Sequence, residues 1–314
     1  MKHTAPSCDI SVIIPLYNKA QDIELTLRSV MAQTLPPREV IVVDDGSTDG
    51  SREIVERLAD EVSYIKLVCQ ANAGVSAARN RAINMAQGRW VALIDGDDRW
   101  DADYLNSIAH LIEQYPACGA YATGFYIDDG HTLVKGATPH VTGKVDFFAE
   151  SMTRYVLIPS ATTLCRELTI ELGGFPVGMR MGEDQYLWTK IARRTDVAFC
   201  ARPLVTYRRA AANRSAAIYR AEQSEYSLED LFDEAASDIS NEYVARVALG
   251  KALVESARGG TLQAQRALEF FAYNKLSKRL ERKVRVLNSL PKWMRPTVLA
   301  IYNWLAWVIA RKGM

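Results

Sequence analysis

Short runs of apolar, largely β-branched residues alternate with segments of helical periodicity over the first 115 residues, and this alternation restricts the possible folds more than any other feature. The predicted strands are residues 10–14, 40–43, 64–68 and 90–94, and the predicted helices are residues 21–33, 51–58, 75–86 and 102–115. Apolar strands that are joined by helices are typical of a parallel sheet covered by helices on both faces. The sequence therefore predicts an α/β fold with a Rossmann-like, mainly parallel sheet, whose ligands bind at the carboxyl ends of the strands.

Three of the predicted strands run directly into polar segments. These are Pro15-Leu-Tyr-Asn18 after the first strand, Asp44-Asp-Gly-Ser-Thr-Asp-Gly50 after the second and Asp95-Gly-Asp-Asp98 after the fourth. Turns and helix N-caps favour Asp, Ser and Gly, which accounts for Ser47 or Thr48. It does not account for five carboxylates at one sheet edge, at positions 44, 45, 95, 97 and 98. Their repulsion needs a cation, and a hard divalent ion such as Mg²⁺ or Mn²⁺ accepts oxygen ligands and bridges to a diphosphate.

Other α/β folds that bind phosphates do not fit this sequence. A dinucleotide-binding fold needs a G-x-G-x-x-G loop after its first strand, whereas residues 15–18 contain no glycine, and the chain has no P-loop motif. A phosphatase that forms an aspartyl phosphate would have Thr or Val where this chain has Arg99, two residues after Asp97. The formal net charge of only +1 argues against a nucleic-acid partner.

Four ordered segments of the sequence resemble the successive motifs of family-2 glycosyltransferases. They are Ser11-Val-Ile-Ile-Pro-Leu-Tyr-Asn18, Val42-Val-Asp-Asp-Gly-Ser-Thr-Asp49, Asn72-Ala-Gly-Val-Ser-Ala-Ala-Arg-Asn80 and Leu93-Ile-Asp-Gly-Asp-Asp98. The resemblance extends over about residues 9–215. It implies a GT-A fold and an inverting enzyme that uses a nucleotide-activated sugar.

The resemblance also implies how the nucleoside is bound. Pro15 and Tyr17 would line the base, with Tyr17 supplying an aromatic face. Asp45 would accept the N3–H of uracil or thymine, which favours a UDP- or dTDP-linked donor. Asp44 would support this loop, or have a purely structural role.

Further contacts to the base, ribose and diphosphate are implied for Asn72, Gly74 and Arg79. A surface salt bridge is the alternative role of Arg79. Asp95 and Asp97 correspond to the DxD motif of the family, in which Asp97 would bind the metal directly and Asp95 would bind the ribose and metal-bound waters. Asp98 alternatively caps the helix that follows.

A second constellation, Gly182-Glu-Asp-Gln-Tyr-Leu-Trp188, resembles the family segment that supplies the catalytic base. An acceptor hydroxyl is a weak nucleophile, so a carboxylate must take its proton as it attacks the anomeric carbon. The resemblance assigns this role to Asp184, with Glu183 as support or acceptor contact. The alternative is that both are acids in a first helical turn, where the helix dipole favours them.

The sequence departs from the family pattern in two places. Residues 207–215 lack the usual His, and all four His residues lie within the first 140 positions, so no C-terminal His can be a metal ligand. Arg208, Arg209 and Arg214 are alternative diphosphate contacts, or plain surface charges. No Gln-x-x-Arg-Trp motif follows Asp184, which favours transfer of a single sugar over processive synthesis.

The C-terminal region is basic, because residues 275–314 contain ten Lys or Arg and one acid (+9), whereas the other 274 residues sum to −8. Apolar residues at 276, 280, 284, 287 and 290 form one helical stripe, and residues 298–310 are apolar except for Asn303. The second segment would be about 20 Å long, too short for the ~30 Å core of a bilayer. These features predict a tail that binds an anionic membrane surface, or alternatively packs on protein.

Five scattered cysteines and the absence of a signal segment or spanning run predict a cytoplasmic protein, peripheral on the inner face of the cytoplasmic membrane. The predicted organisation is a GT-A catalytic domain (1–215), a helical extension (216–274) and the tail (275–314). The predicted function is metal-assisted transfer of one sugar to a glycan or lipid-linked acceptor in cell-surface polysaccharide synthesis. The alternatives are a non-catalytic sugar-nucleotide-binding scaffold on the same fold and a nucleotidyltransferase, which would need a Gly-rich basic loop after the first strand.

Overall fold

The computed structural model describes residues 9–209 and 224–301, which belong to two compact units, residues 1–226 and 227–314. The strands of the first unit are β1 (Ile10–Leu16), β2 (Glu39–Asp44), β3 (Ile65–Cys69), β4 (Trp90–Leu93), β5 (Arg99–Trp100), β6 (Ala120–Asp128), β7 (Leu133–Lys135), β8 (Gly143–Val145), β9 (Thr162–Cys165) and β10 (Val197–Arg208). Its helices are α1 (Ile23–Met31), α2 (Ser51–Glu61), α3 (Val75–Met85), α4 (Tyr104–Gln114), α5 (Phe147–Ser151), α6 (Arg166–Glu171) and α7 (Glu183–Arg194). The second unit contains α8 (Asp238–Arg258), α9 (Thr261–Phe270) and α10 (Lys278–Ser289).

The strands of the first unit form one sheet in the order β3-β2-β1-β4-β9-β6-β10-β5, with β7 paired to β6 and β8 paired to β10. The neighbouring strands β3, β2, β1 and β4 are parallel, and so are β6 and β10. Strand β9 runs antiparallel to both β4 and β6 and joins the two parallel groups. The predicted α/β fold with a mainly parallel sheet is confirmed.

The core explains why the apolar runs become strands. Every residue of β2 is buried, and six of the seven residues of β1 are buried, as expected for strands covered on both faces. Helix α1 buries Ile23, Leu27 and Val30, and α4 buries Leu105 and Ile108, so the predicted helices 21–33 and 102–115 each bury an apolar stripe. Packing of these stripes places the carboxyl ends of β1, β2 and β4 along one edge.

The loops at this edge bind one another through side chains and backbone. Asn18, which has a φ of 51°, donates its backbone N–H to Ser47 Oγ at 3.0 Å and accepts the Thr48 N–H at 2.7 Å. Of the turn and cap roles that the sequence allowed for Ser47 or Thr48, the structure has the turn, because α2 begins at Ser51 after Gly50. These residues tie the loop after β2 to the loop after β1, and Asp49 accepts the Ser51 N–H at 3.0 Å.

In the second unit, α10 packs against α8 and α9. Val284 and Leu287 of the predicted apolar stripe are buried, whereas Leu276 precedes the helix and is exposed. The buried part of the stripe therefore faces protein, as the alternative prediction had it. Within residues 9–209 and 224–301, none of the helices combines the length and the apolar character needed to cross a membrane. Most of the predicted apolar segment 298–310, and Arg214 of the earlier predictions, lie outside the described residues.

Candidate active site

A cleft of about 620 Å³ opens at the carboxyl edge of β1, β2 and β4. Ten of the eleven predicted site residues line it: Pro15, Tyr17, Asp45, Asn72, Gly74, Arg79, Asp95, Asp97, Glu183 and Asp184. Asp44 does not line the cleft. It is buried at the end of β2, where its Oδ1 accepts the Ser47 N–H at 3.1 Å, so it shapes the loop from behind.

Asp45 joins the loop after β2 to the start of α3. Its Oδ1 accepts hydrogen bonds from Ala73 N and Gln70 Nε2, both at 2.8 Å, and its Oδ2 accepts the Gly74 N–H at 2.8 Å. Asn72 Nδ2 donates to the Asp45 carbonyl at 3.0 Å. A carboxylate oxygen accepts more than one hydrogen bond, so Oδ2 keeps capacity for a ligand in the cleft.

Arg79, on the first turns of α3, is the central cation of the cleft and is only 3% exposed. Its Nη2 donates to Asp95 Oδ1 at 2.7 Å and its Nη1 donates to Asp184 Oδ1 at 2.8 Å. Burial alone would lower the pKa of Arg79, but the charges of Asp95 and Asp184 raise that pKa above its usual value. The surface salt bridge considered for Arg79 is wrong, because this side chain is buried and links the loop after β4 to the start of α7.

The same part of α3 forms hydrogen bonds with the segment that precedes α7. Asn80 Nδ2 donates to the Phe175 carbonyl, and the Phe175 N–H donates to Asn80 Oδ1, both at 2.8 Å. The guanidinium carbon of Arg79 lies 5.1 Å from the centre of the Phe175 ring, a cation–π distance. Gly174 has a φ of +68°, and a Cβ there would lie 2.5 Å from Asn80 Oδ1, so a glycine is required.

The two carboxylates after β4 that line the cleft are in different environments. Asp97 binds Lys19, with Nζ 2.6 Å from Oδ2, and both side chains are largely buried. Burial and the neighbouring Asp95 raise the pKa of Asp97, while Lys19 acts in the opposite direction. Asp95 is 30% exposed in its side chain and pairs with Arg79. The pair thus concentrates negative charge at the cleft surface, where protein cations neutralise it in part.

Asp98 points away from the cleft, and its proposed role as a helix cap is wrong. It is 1% exposed, and Oδ2 accepts the Ser160 hydroxyl at 2.5 Å while Oδ1 accepts the Arg208 N–H at 2.8 Å. Ser160 Oγ also accepts the Asp95 N–H at 3.0 Å. Burial, together with Asp95 and Asp97, raises the pKa of Asp98 well above its usual value. Asp98 therefore anchors the end of β10 to the loop after β4.

Asp184 lies in the first turn of α7 and has the properties of a general base. Its Oδ1 accepts from Arg79, and among the described residues no protein group donates to Oδ2. Burial raises the pKa of Asp184 to about 8, and the charge of the adjacent Glu183 adds to the shift while Arg79 opposes it. A carboxyl group with a pKa near neutrality that lines a cleft suits proton abstraction.

The carboxylates that line the cleft are candidate ligands of a divalent metal ion. Within the described ranges, no three His, Cys, Asp or Glu side chains are grouped as a metal site. Asp95 and Asp97 both line the cleft, and burial together with the charge of Asp95 raises the pKa of Asp97, a shift that a bound cation would oppose. An ion such as Mg²⁺ is commonly held by one or two carboxylates with water and substrate phosphates completing its shell. The residues present fit such an ion.

A comparison with protein families shows that residues 11–176 match the family described as "Glycosyl transferase family 2". The chain belongs to this family. The resemblance found in the four sequence motifs is confirmed, and the chain carries a glycosyltransferase domain of this family.

Similar proteins support this assignment. The chain is 39% identical over 132 residues to the putative teichuronic acid biosynthesis glycosyltransferase TuaG of Bacillus subtilis. The aligned region covers 40% of this chain and 51% of TuaG. It is 28% identical over 187 residues to WfaP of Escherichia coli, a UDP-Glc:α-D-GlcNAc-diphosphoundecaprenol β-1,3-glucosyltransferase. This aligned region covers 58% of the chain and 69% of WfaP. The chain spans only 26% to 51% of the length of three of the curated relatives that it matches.

The fold is shared with solved structures. Residues 1–349 of S. aureus TarS in complex with UDP-GlcNAc superpose with a TM-score of 0.65 at 20% identity, over 89% of this chain and 90% of the TarS chain. The glycosyltransferase therefore has the GT-A fold that the resemblance implied.

Some residues of the site of this glycosyltransferase were missed by the sequence analysis. Lys19 lines the cleft and directly follows the Pro15–Asn18 motif. Its position next to this motif could have indicated that its side chain belongs to the site. Ser160 gave no signal, because it lies in a loop-rich stretch with no motif. Arg208 was considered as a diphosphate contact, and its guanidinium pairs with Asp22 Oδ1 and lies 3.6 Å from Asp128 Oδ2.

Proposed function

We propose that the glycosyltransferase moves a single sugar from a UDP- or dTDP-linked donor to a glycan or lipid-linked acceptor in cell-surface polysaccharide synthesis, with inversion at the anomeric carbon. The observation that carries this proposal is the position of Arg79, whose guanidinium binds Asp95 of the DxD pair and Asp184 at once. A donor site and a base that share one buried cation form a single reaction centre. The names of TuaG and WfaP support the acceptor class.

In this proposal the loops after β1 and β2 bind the nucleoside. Tyr17 and Pro15 line the cleft beside Asp45 and Asn72, so the base would stack on the Tyr17 ring. Asp45 is fixed by the backbone of residues 73 and 74, so its Oδ2 would accept the N3–H of a pyrimidine without reorganisation. A purine offers no donor at that position. The complex of TarS with UDP-GlcNAc supports this choice of nucleotide.

Asp184 would take the proton of the acceptor hydroxyl. The acceptor oxygen attacks the anomeric carbon, its proton passes to Asp184 Oδ2, and the bond from that carbon to the nucleotide diphosphate breaks. Arg79 holds Oδ1, so the carboxylate is oriented with its second oxygen towards the acceptor. A single displacement of this kind inverts the anomeric configuration. Glu183 keeps the basicity of Asp184 high by its adjacent charge.

Asp95 and Asp97 would hold a Mn²⁺ or Mg²⁺ ion. Such an ion, when bound, supplies charge neutralisation for the departing diphosphate. Lys19 already lies against Asp97, at 2.6 Å, and adds positive charge to the same part of the cleft. Asp95 is positioned from behind by Ser160, which accepts its backbone N–H and donates to Asp98.

A peripheral position on the inner face of the cytoplasmic membrane is also part of the proposal. The exposed side of α10 carries Arg279 and Arg282, and Val286 and Trp293 are 59% and 78% exposed. Exposed basic and aromatic side chains of this kind suit the boundary of an anionic bilayer. This surface differs from the apolar stripe of the sequence analysis, because Val284 and Leu287 pack inside the second unit.

The test is a panel of nucleotide sugars that vary in base and sugar, with Mn²⁺ present. We expect binding and slow hydrolysis of uridine or thymidine donors and little binding of guanosine donors. Once an acceptor is found, proton NMR of the product gives its anomeric configuration. Asp60→Asn, an exposed change on α2, is the control for Asp184→Asn. Preference for a purine donor, or retention of configuration, would refute the proposal.

A further inference from the structure

The cations that line the cleft differ in whether protein carboxylates neutralise them. Lys19 pairs with Asp97, Arg79 pairs with two aspartates, and Arg208 pairs with Asp22. Arg180 also lines the cleft, and it is exposed. Within residues 9–209 and 224–301, its guanidinium has no ion pair, no hydrogen bond and no aromatic contact. Arg180 is therefore a cation of the cleft whose charge is left for a ligand.

The backbone on both sides of Arg180 is fixed. Phe175 is held by Asn80, Met179 is 4% exposed, and Gly182 begins α7 in the left-handed conformation with a φ of 90°. An arginine on an anchored segment loses less conformational freedom when it binds a ligand than one on a free loop. Its planar fork also matches the geometry of a phosphate or a carboxylate.

The position of Arg180 along the chain separates it from the donor half of the cleft. The proposed nucleoside and diphosphate contacts come from the segments after β1, β2, β3 and β4, whereas Arg180 precedes α7, the helix that carries the proposed base. Arg180 and Asp184 are four positions apart in the sequence, so their Cα atoms are at most about 14 Å apart. An acceptor whose hydroxyl reaches Asp184 would place its neighbouring groups within reach of the Arg180 side chain.

We propose that Arg180 binds an oxyanion of the acceptor, a phosphate or a carboxylate carried one sugar ring away from the attacking hydroxyl. The inference rests on the proposed function, because Asp184 marks where the acceptor hydroxyl lies. The acceptor class is therefore an anionic saccharide, either a sugar on a lipid diphosphate or a uronic acid. The acceptor in the name of WfaP, GlcNAc-diphosphoundecaprenol, belongs to the first kind, and teichuronic acid, in the name of TuaG, to the second.

The test uses three small probes with the same octyl chain, octyl diphosphate, octyl glucuronide and octyl glucoside, below their aggregation concentrations. Binding to the full-length protein saturated with UDP and Mn²⁺ is measured by calorimetry for the wild type, Arg180→Gln and Arg52→Gln. Arg52 is an exposed arginine of α2 that does not line the cleft, and it is the matched control. UDP affinity is measured first for each protein.

We expect the wild type and Arg52→Gln to bind at least one anionic probe about tenfold more tightly than octyl glucoside, the factor of one charge-assisted contact. Arg180→Gln should lose this preference and keep its UDP affinity. Preference for the diphosphate alone identifies a lipid-diphosphate acceptor, and preference for the glucuronide identifies a uronic acid.

Three results would overturn the inference: no anion preference in the wild type, a preference that survives in Arg180→Gln, or a loss of UDP affinity in that variant, which would assign Arg180 to the donor. Failure of the wild type to bind UDP contradicts the proposed donor instead. The probes are then compared without nucleotide, so the two proposals fail separately.

Discussion

Replacement of Arg79 by Met should destabilise the first unit through charge more than through packing. The side chain is 3% exposed and is the cation shared by Asp95 and Asp184. Met fills much of the same volume but leaves these two carboxylates facing each other without a counter-ion. Arg79→Lys keeps the charge, but its single ammonium cannot reproduce the two-armed contact, so an intermediate effect is expected.

The magnitude follows from the burial of the three groups. Loss of one partner from a buried ion pair costs about 3–5 kcal/mol. The carboxylates here are 18% and 30% exposed in their side chains, and solvent screens them in part, so the lower end, about 3 kcal/mol, is expected. For a unit of this size that loss lowers Tm by roughly 6–12 °C.

The loss should also depend on pH. Arg79 opposes the rise in the pKa of Asp184, so this pKa rises further in Arg79→Met. A carboxyl whose folded pKa lies above its unfolded value binds more protons in the folded state, so stability falls as pH rises between the two values. The wild type itself loses stability up to about pH 8, so the additional loss in Arg79→Met lies above that pH, and the variant should be closer to the wild type at pH 6 than at pH 9.

Urea denaturation followed by circular dichroism at both pH values measures the effect. Arg81→Met is the matched control, because Arg81 lies on the same helix but is exposed, and its loss should change stability by less than about 0.5 kcal/mol. Asp184→Asn combined with Arg79→Met should recover part of the loss. A loss that is equal at pH 6 and pH 9 would show that packing on Phe175, rather than charge, is what Arg79 supplies.

Four further predictions concern activity and the tail. Asp184→Asn should lower turnover by about 10²–10⁴-fold and leave UDP affinity unchanged, since it removes only the base, and wild-type turnover would exclude this role. The pH profile of kcat/KM at low donor concentration should rise through about pH 8, because burial and Glu183 raise the pKa of Asp184, and Glu183→Gln should move the midpoint to lower pH; an unmoved midpoint would contradict the pairing. EDTA should abolish transfer and Mn²⁺ restore it, and Asp97→Asn should weaken metal-dependent donor binding in titrations, so unchanged affinity would remove Asp97 from the metal site. Arg279→Gln with Arg282→Gln should reduce flotation of the full-length protein with anionic liposomes, and equal flotation would argue against membrane binding through α10.

The sheet and the contents of the cleft were predictable because both follow from local patterns. Apolar runs identified β1, β2, β3 and β4, and parallel strands bring the residues after them to one edge whatever the rest of the chain does. Asp45, Asp97 and Asp184 were recognisable because each lies in a motif with a fixed spacing.

Contacts between distant segments were not predictable. Arg79 and Asp184 are 105 positions apart, and nothing in the local sequence of α3 indicates that its arginine is buried between two carboxylates. The residues adjacent to Asp98 in the sequence are compatible with a helix cap. Its buried position follows instead from hydrogen bonds to Ser160 and to the end of β10, which are distant in the sequence. The stripe of α10 showed an apolar face, but periodicity does not reveal that α8 and α9 cover it.

The adjacent residues Arg79 and Asn80 mark a boundary between two stretches of the sequence that could be exchanged separately. The cleft residues proposed to bind the nucleotide lie before residue 100, and the segment with Arg180 and the proposed base lies after residue 170. Side-chain contacts from α3 to Phe175 and Asp184 join these two stretches. We therefore expect that the second stretch can be replaced by one with a different acceptor preference without loss of donor binding. The replacement would need an aspartate to bind Arg79, and a glycine and a backbone turn to bind Asn80.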